Sequence, residues 1–226
     1  MFKIKILPNG PYQVTALKNL TLEVNTPNQN NVLEGRVVST FNVQDEIHLC
    51  RCGQSKNAPF CDGSHLTAHF DGTETADRTD YLARSEVFEG DDMQLLDDER
   101  CAFARFCHRE RGEVWTLTEN SSDPENKREA IEGASRCPSD RLTARVHGEL
   151  VEETFEDTIA VSEDLQKGVS ASLNIRGDFS LESADGTPYE KRNRLALCRC
   201  GHSKNKPFCD ASHVNYEFND AIDIKK

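Results

Sequence analysis

Apolar and polar residues alternate near both ends of this chain and lose that period in the middle. In Lys3-Ile4-Lys5-Ile6 the apolar positions recur every second residue, and Asn9-Gly10-Pro11 supplies a turn, so a hairpin is predicted. Ile47-His48-Leu49 is a second short alternation. The C-terminal part repeats the style with Leu173 and Ile175, a turn at Asp185-Gly186-Thr187-Pro188, and Leu195-Ala196-Leu197. Between them, Leu95–Arg111 predicts a helix with Asp97 as N-cap, and Val114–Leu117 a short strand. Asp123-Pro124 opens a further helix through Ala134, Pro138 stops it, and Arg141–Val146 predicts a strand. The pattern implies an α+β chain in three parts, residues 1–75, 76–165 and 166–226.

Both alternating ends run into nearly the same string, CRCGQSKNAPFCDGSH from Cys50 and CRCGHSKNKPFCDASH from Cys198. At an offset of 148, residues 48–71 and 196–219 share 15 of 24 positions, including Phe70 and Phe218 beyond the histidines. Shared flanking positions imply a duplicated structural unit rather than two chance clusters. Each copy reads C-x-C-x8-C-x3-H, which makes Cys50, Cys52, Cys61 and His65, and again Cys198, Cys200, Cys209 and His213, candidate metal ligands. Thiolate and imidazole donors suit zinc or iron–sulfur clusters. Zinc knuckles space their first pair C-x2-4-C, and C-x-C is tighter than that. It suits two thiolates on one iron of a two-iron cluster, with Cys61 and His65 on the other; structural zinc stays open as the alternative. Gly53 permits close backbone approach, and Asp62 is placed to cap a short helix presenting His65.

These residues resemble the CDGSH iron–sulfur signature of the NEET proteins. The first copy matches through Ser55, Pro59, Cys61, Asp62, Gly63, Ser64 and His65; the second through Ser203, Pro207, Cys209, Asp210, Ser212 and His213. Ala211 replaces the glycine, and a helix-start position there predicts helical dihedrals. The resemblance implies a [2Fe–2S] cluster held by three cysteines and one histidine in each copy. NEET proteins are intertwined homodimers, so two copies in one chain imply small sheets in a pseudo-twofold arrangement within a monomer. The wider chain, with CAFARFC at its centre, resembles bacterial proteins that carry a CDGSH pair around a central insert.

Cys101, Cys107 and Cys137-Pro138 resemble a shortened ferredoxin pattern, which implies a ferredoxin-like α/β insert and a possible third cluster. Residues 102–106 contain no glycine, so buried structural cysteines are the competing reading. His108 and His147 read as ordinary surface histidines, His48 and His69 lack counterparts in the second copy, and Trp115 reads as core. No GxGxxG, P-loop or nucleophile–base pair is present, which favours a carrier over an enzyme; a redox enzyme with its site in the insert is the alternative.

Charge narrows the partners. A net charge of −12 argues against nucleic acid. The second motif lies in a basic stretch, Lys191, Arg192, Arg194, Arg199, Lys204 and Lys206, which suits an acidic redox or apo-acceptor protein. No apolar run reaches the ~18 residues of a membrane span, and the start lacks a signal or transit pattern. Nine cysteines without an export signal point to metal chemistry in the cytoplasm.

Overall fold

The computed structural model describes residues 1–224. The chain opens with β1 (Phe2–Ile6), β2 (Tyr12–Thr15), β3 (Asn19–Pro27), β4 (Leu33–Phe41) and β5 (Glu46–Leu49), followed by the first motif and α1 (Ser64–Thr67). The insert contributes α2 (Tyr81–Arg84), β6 (Glu86–Glu89), β7 (Gln94–Asp97), α3 (Val114–Glu119), α4 (Pro124–Ser135), β8 (Leu142–Val146) and β9 (Glu149–Val151). Then come β10 (Thr158–Asp164), β11 (Val169–Arg176), β12 (Phe179–Glu182), β13 (Arg194–Leu197) and, after the second motif, α5 (Ser212–Asn215).

Two sheets interlock the chain ends. One runs β12-β1-β2-β5 and the other β13-β11-β10-β3-β4, so the C-terminal half lends β12 to the first sheet and the N-terminal half lends β3 and β4 to the second. The lent strands lie parallel to their hosts, β12 beside β1 and β3 beside β10. The registers correspond. Ile4 stands opposite Val14 and Leu181, while Ile159 stands opposite Ile175 and Leu20. These side chains share one buried core with Phe2, Leu22, Leu49, Leu173 and Leu197. Such parallel pairing needs a long crossover, and everything from β4 to β9 forms it.

The predicted hairpin, Ile47–Leu49, Leu173–Ile175 and Leu195–Leu197 strands form as expected, as do the helix from Pro124 and the strand β8. Three expectations fail. Leu95–Arg111 is not a helix: Leu95 and Leu96 sit in β7 paired with β8, and irregular chain follows. Asp97 takes the Arg141 guanidinium and the Trp115 indole N–H (3.1 Å) and turns the chain by accepting from Glu99 N, so it ends a strand rather than capping a helix. Val114–Leu117 is helical, because Val114 and Leu117 pack on Ala130 and Ala134 of α4; four residues are too few to fix a period. The boundary at 165 also shifts, since Thr158–Asp164 is a central strand of the interlocked sheet rather than part of the insert. Trp115 is half-buried against the insert core.

The insert is an antiparallel β6-β7-β8-β9 sheet covered by α3 and α4. Arg194, 2% exposed, fastens it to β13 by donating to the carbonyls of Cys137 (3.0 Å) and Leu142 (2.9 Å) and pairing with Asp140 (2.8 Å).

Candidate metal centres

Each motif is a loop that closes on itself before any metal is considered. Cys50 N donates to Pro59 O (2.8 Å) and Cys61 N to His48 O (2.8 Å); Cys198 N and Cys209 N repeat this with Pro207 O and Ala196 O (both 2.9 Å). Ser55 Oγ and Ser203 Oγ bond the carbonyls of Phe60 and Phe208. Asp62 accepts from Lys56 N and Ser64 N, and Asp210 accepts from Lys204 N and Ser212 N, which ties the loop to the turn carrying the histidine. The peptide bonds before Pro59 and Pro207 are cis in both copies.

This scaffold pairs the eight candidate donors in the same way in both copies. The Sγ atoms of Cys50 and Cys52 lie 3.7 Å apart, and those of Cys198 and Cys200 3.6 Å apart. Nδ1 of His65 lies 3.4 Å from Cys61 Sγ, and Nδ1 of His213 lies 3.4 Å from Cys209 Sγ. Among the described residues no three such donors close around one point; they come in pairs. One thiol of each C-x-C pair is held low by its neighbour's hydrogen bond, Cys50 at about 6 and Cys198 at about 7. Burial raises the Cys61 and Cys209 thiols.

Ala211 does not have helical dihedrals. It sits at φ 67°, in the left-handed region that Gly63 occupies at φ 86°. The bond from Ser64 N to Asp62 and that from Ser212 N to Asp210 fix the reversal in the two copies, and alanine accepts the strain, roughly 1–2 kcal/mol.

The two loops meet back to back. A Cβ on Gly53 would stand 2.8 Å from the Cys200 carbonyl carbon, and one on Gly201 would stand 2.5 Å from Cys52 O. Tyr12 crosses between the halves and donates to Cys198 O (2.8 Å).

Exposure separates the sites. His213 is 2% exposed and Cys209 3%, whereas Cys61 and His65 are only half-buried and Leu66 beside them is exposed. The insert supplies the cover: Ala102 packs with Ala196 and Cys209, and Arg105 pairs with Asp164 (2.5 Å). Burial, with the Arg199 charge adding to it, lowers the His213 imidazole to about 4.

In the insert, Cys107 and Cys137 belong to one packed cluster, and the charges of Cys137 and Cys101 add to burial in pushing the Cys107 thiol up to about 12. The segment between Cys101 and Cys107 alternates in handedness, with Phe103 at φ 60° and Arg105 at φ 63°. Phe103 N donates to Cys101 Sγ (3.3 Å). No glycine signals these two left-handed residues, so the sequence reading missed them.

Comparison with known families agrees with this layout. The family described as "Iron-binding zinc finger CDGSH type" matches residues 9–66 and 170–214, and the family described as "Divergent 4Fe-4S mono-cluster" matches residues 88–147. The donor chemistry and both matches support an iron–sulfur protein. The chain carries two CDGSH-type motifs flanking a central insert. No curated protein and no solved structure matches it. Among the described residues no helix is long and apolar enough to cross a membrane.

Proposed function

We propose that the chain holds one [2Fe–2S] cluster in each motif through three cysteines and one histidine, and carries electrons or donates clusters to a protein partner. The observation that carries this reading is the pairing of donors. Cys50 with Cys52 and Cys61 with His65 form two close pairs, one for each iron, and the second copy repeats them. A single tetrahedral ion asks for four donors around one point instead. The bound cluster supplies one-electron chemistry. Its neutral imidazole sets the potential between the about −400 mV of plant-type ferredoxins and the about −150 to +300 mV of two-histidine centres.

The chain's own residues give the sites different duties. Half-buried His65 and Cys61 face solvent, so exchange with a partner occurs at the first site. Buried His213 and Cys209 keep the second site internal. The matched strand registers support a pseudo-twofold arrangement in which the second copy replaces a partner subunit, so the chain acts as a monomer. We read the insert as ferredoxin-like, with a third centre at Cys101, Cys107 and Cys137 beside the second site. The packing of Cys107 with Cys137 and the reach of the Cys101 charge to Cys107 and Cys209 support this. Nine free cysteines suit the cytoplasm.

Iron and acid-labile sulfide counting on anaerobically purified chain tests the reading. About four of each, with a visible spectrum bleached by dithionite, is expected from the two motifs; about seven or eight iron is expected with the insert loaded. A colourless protein with zinc would overturn it.

A further inference from the structure

The arginine inside each C-R-C triplet is buried, and the two copies treat it differently. Arg199, 3% exposed, is fully partnered. It pairs with Glu163 (2.5 Å) and Asp220 and donates to Ala171 O and Ser162 O (both 2.8 Å). Arg51, 2% exposed, has no carboxylate within ion-pair distance among the described residues. Its Nη2 donates to Gly72 O, the rings of Tyr12 and Phe70 lie 5.7 and 5.2 Å from its Cζ, and its Nε and Nη1 are unpartnered. Asp71, whose charge reaches it, is exposed to solvent.

The difference is built in. At the offset of 148, Gly72 occupies the place of Asp220. The Arg51 guanidinium fills the space beside Gly72, with Cζ 3.0 Å from where a Cβ would stand, so the carboxylate that Asp220 gives Arg199 has no counterpart here. A buried guanidinium without a counter-charge costs several kcal/mol, roughly, and calls for an anion.

The surroundings indicate where that anion is. Because Cys50 and Cys52 turn their sulfurs to one side, the residue between them points elsewhere. Tyr12, under Arg51, bonds the Cys198 carbonyl, so the Arg51 side chain lies on the second motif's side. Reciprocally, Arg199 and Asp220 line a small void together with Cys50, Gly53 and Pro59 of the first motif. Arg199 therefore faces the first motif's cysteine loop, and Arg51, its equivalent, is joined to the second motif through Tyr12. Near the second site Arg199 also acts on His213, against Asp164 and Asp210, but Arg199 is already neutralised by its own carboxylates.

We infer that Arg51 is the fixed counter-charge of the second iron–sulfur centre, holding its reduction potential up across the copy boundary, while Glu163 and Asp220 cancel the corresponding charge of Arg199 at the first. This inference rests on the two-centre reading above. Reduction adds a negative charge to the centre, and an uncompensated buried cation favours that charge while a neutralised one does not. Arg51 is a positioning charge, not a ligand.

The test is an anaerobic redox titration of the loaded full chain followed by electron paramagnetic resonance. The two signals are assigned with Cys61→Ser and Cys209→Ser. Arg51→Met nearly conserves volume and removes an unpaired buried charge, a change that is neutral or stabilising. It is expected to lower the second centre's potential and leave the first nearly unmoved. Arg51→Lys keeps the charge and is expected to restore most of the loss, and Asp220→Asn to raise the first centre's potential. Loaded Arg51→Met protein with an unmoved second centre, or with the larger shift at the first, overturns the inference alone. Wild-type chain that takes up no iron overturns the parent reading and the inference with it.

Discussion

Replacing Gly53 by alanine adds one methyl group at the point where the two motifs touch. The new Cβ would stand 2.8 Å from the Cys200 carbonyl carbon, and both neighbours are backbone, so neither rotates away. Gly53 also sits at φ 73°, where an L side chain costs roughly 1–2 kcal/mol. Overpacking of a rigid contact adds about 1–3 kcal/mol. The sum, about 2–5 kcal/mol, is a large share of the ~5–15 kcal/mol that holds a typical domain folded. Gly63 is the internal control: its φ is 86°, but nothing lies within 4 Å of an added Cβ, and Ala211 already occupies the equivalent place. Gly63→Ala therefore bears the dihedral strain alone. The assay is urea unfolding of the loaded chain, followed by Trp115 fluorescence and visible absorbance, with midpoints compared because bound cofactors complicate a single free energy. Gly53→Ala should lose its colour and fold at a much lower midpoint than Gly63→Ala. Gly201→Ala should match it, since its Cβ would meet Cys52 O at 2.5 Å. Equal midpoints for Gly53→Ala and Gly63→Ala would refute the back-to-back contact.

Acid should release the first centre before the second. Burial keeps His213 neutral down to about pH 4, so between its ordinary ~6.5 and 4 the unfolded chain binds a proton the folded chain refuses. The second site's stability thus falls as pH drops through that window, and its buried imidazole takes a proton only near the lower end, while half-buried Cys61 and His65 stand open to solvent; pH titration of the visible bands of Cys61→Ser and Cys209→Ser reads the order. His65→Cys, which restores a fourth thiolate, should lower the first centre's potential and slow its acid loss, both measurable by spectroelectrochemistry. Arg194→Ala takes from buried Asp140 one of its two arginine partners and leaves three carbonyls of the insert unbonded, and a loss of about 3–5 kcal/mol in denaturant unfolding is expected. Arg192 also pairs with Asp140, so Arg192→Ala should have the same direction.

What could be read from the residues alone is what short stretches of chain decide. The ligand spacing, the proline-stiffened loop and the Asp62 and Asp210 turns use partners at most thirteen residues apart, so the motif carries its own geometry. The repeat offset likewise exposed the duplication. Local reading failed where distant chain competed. Leu95 and Leu96 have the composition of a helix but find a strand partner near residue 143, and Val114–Leu117 becomes helical against α4. Ala211 is left-handed because the Asp210 turn outweighs alanine's own preference.

The residues alone thus specify the eight candidate donors, the loops that pair them and the duplication of the unit. The folded chain adds that β3 and β12 change sheets, that the insert covers His213 and not His65, and that Arg199 receives carboxylates while Arg51 does not. Those features depend on contacts between residues from about twenty to well over a hundred positions apart. Burial and unpaired charge are properties of what surrounds a residue, and no spacing rule encodes them.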